Sequence, residues 1–188
     1  LGHRTMPVEH VHAITTPGTL DGWATLLAEH GRMDFSPVLA PAIRLGEEGF
    51  AVSPVISREW EAGTEKLSRD PDAARHFLTP GRAPRAGDVF CNPALARTFR
   101  TIAEGGRDVL YGGPLGEEVV RSLEEKGGLL TMEDLRAHRS DWVEPIGTAF
   151  AGHEVFELPP SGQGLTALLA LNILEGFDLA SLRHNTAD

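Results

Sequence analysis

The chain has 188 residues, a formal net charge of −10 from 17 basic and 27 acidic side chains, and 41% hydrophobic residues. This composition is typical of a soluble globular protein and excludes a coiled coil or a collagen. The acidic balance, without any run of Lys or Arg, argues against nucleic acid or a membrane surface as a partner. No apolar stretch approaches the roughly 18 residues that a membrane span requires.

The first predicted elements are helices, most of which begin at a small polar residue followed by Pro. Residues 18–30 fit a helix that ends at Gly31. A Ser or Asn before Pro is a favourable N-cap, because Pro at the first helical position lacks only an N–H that has no intrahelical partner. Such pairs predict helices from Ser36 to Gly49, from Ser53 to about Leu67, and from Asn92 to Gly105-Gly106.

Between the last two helices, residues 68–91 form the loosest predicted stretch, because Pro and Gly interrupt them repeatedly. The stretch ends at Cys91, the single cysteine of the chain. Its apolar neighbours Val89 and Phe90 favour a buried small hydrophobic residue over a reactive thiol.

Two further helices are predicted before the pattern changes. Pro114 opens a helix that runs to Lys126, where the Gly127-Gly128 pair ends it. Thr131 and Asp134 then have the spacing of a capping box, in which each side chain bonds the backbone of the other residue. This box predicts one or two helical turns.

Strands follow after residue 140. Residues 144–150 and 153–158 alternate in polarity and predict an antiparallel hairpin that bends at Ala151-Gly152. Residues 165–174 are apolar almost all round, so we expect a buried helix that is covered on both sides. A lone hairpin is marginal in water, and we therefore expect a larger sheet whose other strands lie outside this chain.

This organisation predicts a piece of a longer protein. The chain starts at Leu1 without an initiating Met and stops at Asp188 without a visible end. We expect a single α+β, helix-rich domain fragment over residues 1–188. It has a helical lobe over 1–140 and a strand–strand–helix part over 141–188.

Eight histidines invite a metal interpretation that their spacing does not support. His3, His10 and His12 lie close together, but their spacing fits neither a helix face nor a zinc motif, and no Cys or acidic set joins them. For the remaining histidines we prefer structural roles. They are His30, His76, His138, His153 and His184.

Two other motifs invite a chemical interpretation. Thr15-Thr16 raises the question of a Thr nucleophile that uses its own α-amine as base, but an internal Thr has no free amine. Pro17-Gly18 follows directly and indicates a turn into a helix. The loop Ser161–Gly164 lies between a strand and a helix, so it either contacts an anion through backbone N–H groups or packs the strand tightly against the helix.

Paired carboxylates beside Lys and Arg are interpreted as solvated helix faces. These pairs are Glu47-Glu48, Glu117-Glu118 and Glu124-Glu125. No nucleophile elbow, dinucleotide fingerprint or two-His helix motif occurs in the sequence. The residues by themselves therefore assign no catalytic, substrate-binding or metal-binding position.

Several segments nevertheless resemble, in the same order, one enzyme family. They are Thr16–Trp23, His30–Met33, Leu39–Phe50, Asn92–Ala96, Tyr111–Pro114, Gly127–Thr131, Pro159–Gly164 and Leu171–Leu179. Together they cover nearly the whole chain. They are similar to the middle and later part of the large subunit in the gamma-glutamyltransferase (gamma-glutamyltranspeptidase) family.

The resemblance implies an N-terminal-nucleophile hydrolase, whose precursor cuts itself into a large and a small subunit that pack as an αββα sandwich. In that family the nucleophile is the Thr that begins the small subunit. Its Oγ attacks a γ-glutamyl amide such as glutathione, its own amine takes the proton, and water or an amino acid resolves the acyl-enzyme. The implied partners are that small subunit and a γ-glutamyl small molecule, without metal or cofactor.

The resemblance transfers no catalytic residue to this chain, since the nucleophile is expected beyond Asp188. The family's carboxylate-binding Arg stands in an Arg-x-x-Ala-Pro motif. Arg4-Thr5-Met6-Pro7 lacks the Ala and lies too near Pro17, so we expect that Arg upstream of Leu1. Two alternatives stay open: a related amidase or acylase of the same fold, and a non-catalytic helical scaffold whose apolar helix needs a partner.

Overall fold

The computed structural model describes residues 4–7 and 9–182. The chain divides into two compact units, Leu1–Ser140 and Asp141–Asp188. His3 and His184 lie outside the described residues.

The first unit consists mainly of helices. In chain order it contains a 3₁₀ turn (Val11–Ala13), α1 (Thr19–His30), α2 (Phe35–Glu48), α3 (Pro54–Ala62), α4 (Thr64–Ser68), α5 (Pro71–Phe77), α6 (Pro93–Gly105), α7 (Asp108–Tyr111), α8 (Pro114–Glu125) and α9 (Met132–Ala137). Two short strands, β1 (Phe50–Ala51) and β2 (Val89–Phe90), pair antiparallel.

The predicted caps are confirmed at three helix starts. The side-chain oxygens of Ser53 and Asn92 accept hydrogen bonds from backbone N–H groups three positions on, at 3.2 and 3.0 Å. Each bond satisfies an N–H that the first helical turn leaves without a partner. The capping box is present as well, with the Asp134 carboxylate accepting the Thr131 N–H at 2.8 Å and Thr131 Oγ1 accepting the Asp134 N–H at 3.3 Å.

Two predicted helix boundaries are wrong. Helix α2 already begins at Phe35, with Asp34 rather than Ser36 at the N-cap position. Pro37 is tolerated inside the first turn because its missing N–H has no intrahelical acceptor there. The predicted helix from Ser53 is interrupted at Gly63, which separates α3 from α4, since Gly weakens a helix interior.

The stretch 68–91 is also more ordered than the sequence predicts. It contains α5, whose N-cap Asp70 accepts hydrogen bonds from two backbone N–H groups of the first turn at 2.9 and 3.0 Å. Asp70-Pro71 is therefore a helix start of the same kind as Ser53-Pro54. The expectation of a buried Cys91 is wrong, because this residue follows the two-residue strand β2 and is exposed.

The core of the first unit forms where α2 packs against α6. Its buried members are Leu20, Leu39, Ile43, Ala96, Ile102, Leu110, Tyr111 and Leu135. At this contact a Cβ built on Gly46 would lie 3.0 Å from the Cβ of Ala96, which has no exposed surface. The absence of a side chain at Gly46 thus allows the two helices to approach closely.

The second unit begins with the predicted hairpin. Strand β3 (Ile146–Phe150) pairs antiparallel with β4 (His153–Glu157), so that Phe150 lies opposite His153. The bend places Ala151 and Gly152 at φ angles of 49° and 79°. Two successive residues in the left-handed region are typical of a two-residue hairpin turn.

Helix α10 (Gly164–Leu174) packs on the hairpin with one side. Thr148 donates a hydrogen bond to the Asn172 side chain, and the Glu175 carboxylate accepts the Ala151 N–H at 3.0 Å. Leu168 is buried, whereas three other apolar side chains of the helix are 45%, 53% and 66% exposed. They are Leu165, Leu169 and Ile173.

The expected cover on the second side of α10 is therefore missing among residues 141–182. The first unit is rich in helices, and both units contain helices and strands. The observed architecture is therefore α+β. None of the helices formed by residues 4–7 and 9–182 is long and apolar enough to cross a membrane.

Candidate functional site

A buried carboxylate marks the most chemically distinctive place in the first unit. Asp21 stands in the first turn of α1 and is 4% exposed. It is the buried charged residue of the described part of the chain. Since a buried charge is costly unless it is paired and hydrogen-bonded, its partners define the site.

The Asp21 carboxylate is fully engaged by other parts of the unit. Oδ1 accepts a hydrogen bond from Nε of Arg107, just before α7. Oδ2 accepts the backbone N–H of Ser140 at 2.5 Å. The Asp21 N–H donates to the Tyr111 hydroxyl at 3.1 Å, and this hydroxyl donates to the Pro17 carbonyl oxygen at 2.6 Å.

Three planar groups stack beside this carboxylate. The rings of Tyr111 and His138 lie 5.3 Å apart at an interplanar angle of 18°, and the Arg107 guanidinium carbon lies 4.7 Å from the Tyr111 ring centroid. His138 Nε2 lies 3.9 Å from Asp21 Oδ2, without a hydrogen-bond partner among the described residues. We call Asp21, Arg107, Tyr111, His138 and Ser140 the Asp21 clasp.

Electrostatics keep the Asp21 carboxylate ionised. Burial alone would raise the pKa of Asp21, but hydrogen bonds from Ser140 and Arg107 outweigh burial and hold this pKa below its usual value. Burial raises the pKa of the Tyr111 hydroxyl, so that the phenol stays neutral. An ionised carboxylate with a donor on each oxygen and a neutral phenol suit a structural role better than proton transfer.

The sequence does not show that the residues of the Asp21 clasp come together. Of its members it singles out only His138, for which we prefer a structural role. Asp21 and Ser140 are 119 positions apart. An Asp in the first turn of a helix is also ordinary, because it complements the helix dipole. No local signal distinguishes a buried Asp21 from a solvated one.

The other sequence candidates do not assemble into a catalytic set. His12 Nε2 lies 3.1 Å from the Gly127 carbonyl oxygen, and its ring lies 4.5 Å from that of His10. Among residues 4–7 and 9–182, no group of three or more His, Cys, Asp or Glu side chains has the geometry of a metal site. Thr15 and Thr16 lie in an irregular segment before α1.

The loop before α10 favours the packing interpretation over anion contact. A Cβ on Gly164 would lie 2.7 Å from the Glu157 Cβ and 2.8 Å from the Leu158 carbonyl oxygen. Only a residue without a side chain permits so close an approach of strand and helix. The Gln163 side chain accepts a hydrogen bond from Thr166 within the same turn, at 3.3 Å.

A crevice of about 350 Å³ beside α3 offers no activated nucleophile either. Of its hydroxyl groups, Ser57 Oγ donates to the Pro84 carbonyl at 3.1 Å and Thr64 Oγ1 donates to the Trp60 carbonyl at 3.2 Å. Both hydroxyls thus donate to backbone carbonyls rather than to a side-chain base.

Acidic pairs are solvated, as the sequence predicts. Glu118 and Glu125 both contact Arg121, at 2.8 and 2.9 Å, with every side chain more than half exposed. Glu47 contacts Arg100 with both carboxylate oxygens, and the two side chains are 41% and 51% exposed. Such pairs contribute little to stability or chemistry.

The geometry alone does not identify a protein family, but comparison with known proteins does. A family model described as Gamma-glutamyltranspeptidase matches residues 1–188. The glutathione hydrolase-like YwrD proenzyme of Bacillus subtilis is 37% identical over 186 residues, which are 98% of this chain and 35% of the relative. The chain spans about a third of the length of the curated relatives it matches first.

Two solved structures are similar to this chain. The cephalosporin acylase of Bacillus halodurans is 39% identical with a TM-score of 0.86, over 94% of this chain and 34% of that protein chain. The gamma-glutamyltranspeptidase of Helicobacter pylori is 26% identical with a TM-score of 0.86, over 96% of this chain and 52% of that chain.

Proposed function

The chain belongs to the gamma-glutamyltranspeptidase family, and we propose that the protein containing it cleaves γ-glutamyl amides such as glutathione. The observation that carries this proposal is the family match over residues 1–188, together with a relative that is named a glutathione hydrolase-like proenzyme. The chain corresponds to a segment of the large subunit and contributes scaffold rather than reacting groups.

The proposed reaction proceeds through an acyl-enzyme. The Oγ of an N-terminal Thr, outside this chain, attacks the γ-glutamyl carbonyl carbon, and the Thr α-amine takes the hydroxyl proton and passes it to the leaving amine. Attack of water on the ester releases glutamate, attack of an amino acid transfers the γ-glutamyl group to it, and either step restores the Thr. These reaction steps require neither metal nor cofactor.

We further propose that the second unit is one helix layer and two strands of an αββα sandwich. The hairpin supports this proposal, because a two-stranded sheet is marginal on its own and α10 packs on only one of its faces. Phe156 and Leu158 on or next to β4 are 60% and 67% exposed. Strands of the small subunit from the same precursor would extend this sheet and cover such side chains.

A chromogenic γ-glutamyl anilide tests the activity directly. We expect the full-length, processed protein to release the coloured aniline from this substrate, and we expect a variant with the nucleophilic Thr replaced by Ala to release none. Equal release by both proteins would contradict the acyl-enzyme mechanism. No release by either protein, with no self-cleavage, would favour a non-catalytic scaffold.

A second candidate activity is side-chain cleavage of a cephalosporin-type amide. It is supported by the 39% identity to the Bacillus halodurans cephalosporin acylase, which is similar to the 37% identity to the glutathione hydrolase-like proenzyme of Bacillus subtilis. The ratio of kcat/KM for a γ-glutamyl anilide and an acylated cephalosporin decides between them. A ratio above one supports the γ-glutamyl activity, and a ratio below one supports the acylase.

A further inference from the structure

A group of adjoining apolar side chains on α1 and α2 lies outside the core of the first unit. In α1, Trp23 and Leu26 are 44% and 51% exposed, and in α2 Val38 is 39% exposed. Trp23 and Leu26 are three positions apart and therefore share one face of their helix. Apolar side chains that adjoin one another at a surface, rather than being scattered singly, are typical of an interaction site.

These side chains line a groove of about 200 Å³ between the two helices. Its floor is formed by Leu39, which is buried in the core, and by Phe35, which packs against the core. An apolar cavity of about 150 Å³ accepts a benzene ring, so the groove has room for one large aliphatic or aromatic side chain. The lining is entirely apolar and consists of Trp23, Leu26, Leu27, Phe35, Val38 and Leu39.

A second crevice, of about 290 Å³, adjoins the groove and shares Leu27 and Phe35 with it. Met33, which is 59% exposed, lies in this crevice. Among the described residues that line the groove and the crevice, only Asp34 is charged. Its carboxylate accepts no capping hydrogen bond from α2 and pairs with no cation in the described part of the chain. We call the groove and the crevice together the α1–α2 trench.

The size of the α1–α2 trench indicates what kind of occupant it takes. The exposed parts of its apolar side chains amount to a few hundred Å², whereas a stable complex of two separate molecules buries about 800 Å² on each. The trench alone is therefore too small to hold a second copy of the chain. A segment of the same polypeptide needs less contact area, because its translational and rotational freedom is already restricted.

Length and charge narrow the occupant further. The chain spans 35% of the Bacillus subtilis relative, so about two thirds of a protein of that length lie outside residues 1–188. The chain itself carries a net charge of −10, and Asp34 adds a carboxylate at the α1–α2 trench. Charge complementarity therefore favours a basic side chain on the segment that binds there.

We propose that the α1–α2 trench binds an apolar segment of the same precursor from outside residues 1–188. A large aliphatic or aromatic side chain of this segment fills the groove beside Trp23, and a Lys or Arg lies opposite Asp34. This inference goes beyond the proposed activity and does not depend on it. It concerns only the first unit and the part of the precursor that covers it.

Photo-cross-linking in the full-length protein tests the inference. One variant carries the photoreactive residue p-benzoylphenylalanine in place of Trp23, and on irradiation this residue bonds to a C–H group that touches it. The control carries the same residue in place of Arg121, which is more than half exposed between Glu118 and Glu125 on a charged face of α8. We expect the Trp23 variant to link at least about tenfold more than the control, because only the trench offers an apolar contact.

The linked peptide decides the outcome. A peptide of the same precursor from outside residues 1–188, with large apolar side chains and a nearby Lys or Arg, supports the inference. A link within residues 1–188, a link to another protein, or equal yields in the variant and the control overturns it. Irradiation of mixed isotopically light and heavy protein detects a second copy as the occupant, and a link between light and heavy peptides also overturns the inference.

Reversal of the charge at Asp34 tests the predicted basic side chain. In the Trp23 cross-linking variant, Asp34→Lys should lower the yield at least about threefold, because like charges then face each other. Glu133→Lys is the matched control, since Glu133 is also an exposed acidic residue at a helix start, and it should leave the yield unchanged. An equal yield in Asp34→Lys and the control contradicts the charge pairing.

A second position and an independent activity assay keep the test decisive. Should the Trp23 variant not accumulate, p-benzoylphenylalanine at Leu26 replaces it, because Leu26 lines the same groove. The same protein is assayed with the γ-glutamyl anilide. A predicted link without anilide cleavage by the wild type contradicts the proposed function and supports this inference, whereas cleavage without the link overturns this inference alone.

Discussion

Substitution of Leu135 by Ala tests the packing of the first unit at its most enclosed side chain. Leu135 lies on α9, the short helix that the Thr131 capping box starts, and it has no exposed surface. Helix α9 packs on α7 and α8. A Cβ on Gly116 of α8 would lie 3.1 Å from the Leu135 Cδ1, which indicates that little free space surrounds this side chain.

The expected cost follows from this enclosure. Leu→Ala at a fully buried site costs about 3 kcal/mol or more, as lost transfer free energy plus the cavity left behind. For a unit of 140 residues that melts by itself, the entropy of unfolding is about 0.3 kcal/mol/K, so Tm should fall by about 10 °C. If the unit melts together with a chain about three times as long as this one, Tm should fall by about 3 °C.

Thermal unfolding of the full-length protein, followed by circular dichroism, measures this loss. Leu95→Ala is the matched control, because Leu95 lies on α6 of the same unit and is 44% exposed. We expect the control to cost less than about 1 kcal/mol. A Leu135→Ala protein that melts within 1 °C of the wild type, or a control that loses as much, would refute the packing described here.

Three further predictions concern caps and charges. Thr131→Val removes the side-chain acceptor for the Asp134 N–H and should cost about 1 kcal/mol in denaturant unfolding, and no loss would contradict the capping box. Glu47→Gln breaks an exposed pair with Arg100 and should cost less than about 1 kcal/mol, with a smaller difference at high salt; a larger or salt-independent loss would contradict its solvated character. Because the pKa of Asp21 lies below its ordinary value of 3.8, its ionised form stabilises the fold above that pH, and this contribution disappears as the pH falls through the folded-state pKa. Stability curves of wild type and Asp21→Asn should therefore converge in acid, and a constant gap between them would contradict the assignment.

Local signals in the sequence predict much of the fold. The caps at Ser53, Asn92 and Thr131 are hydrogen bonds between near neighbours, so the residue types and their spacing are sufficient. The same holds for the hairpin bend at Ala151-Gly152. Helix α2 is an exception, since Asp34 takes the N-cap position predicted for Ser36 without a side-chain hydrogen bond to the helix.

Burial could not be predicted in the same way, because it depends on contacts between distant segments. Cys91 has apolar neighbours but is exposed, since β2 is a two-residue strand with one partner. Asp21 has the sequence context of a solvated helix start but is buried by Arg107 and Ser140. The Asp21 clasp is therefore visible only in three dimensions.

The sequence predicts the environment of the apolar helix α10 only in part. Its composition predicts cover on both sides, and β3 and β4 supply that cover on one side. The sequence cannot show where the remaining cover comes from. The exposed Leu169 and Ile173 are the reason to propose a second subunit at this place.

An intact-mass spectrum of the purified full-length protein under denaturing conditions shows whether this chain is a large-subunit segment of a self-cleaving enzyme, as we propose. We expect two polypeptides whose masses add up to the precursor plus one water. The larger should contain residues 1–188, and the smaller should begin with Thr. A single uncut polypeptide, in a preparation that is folded by circular dichroism, would contradict self-cleavage.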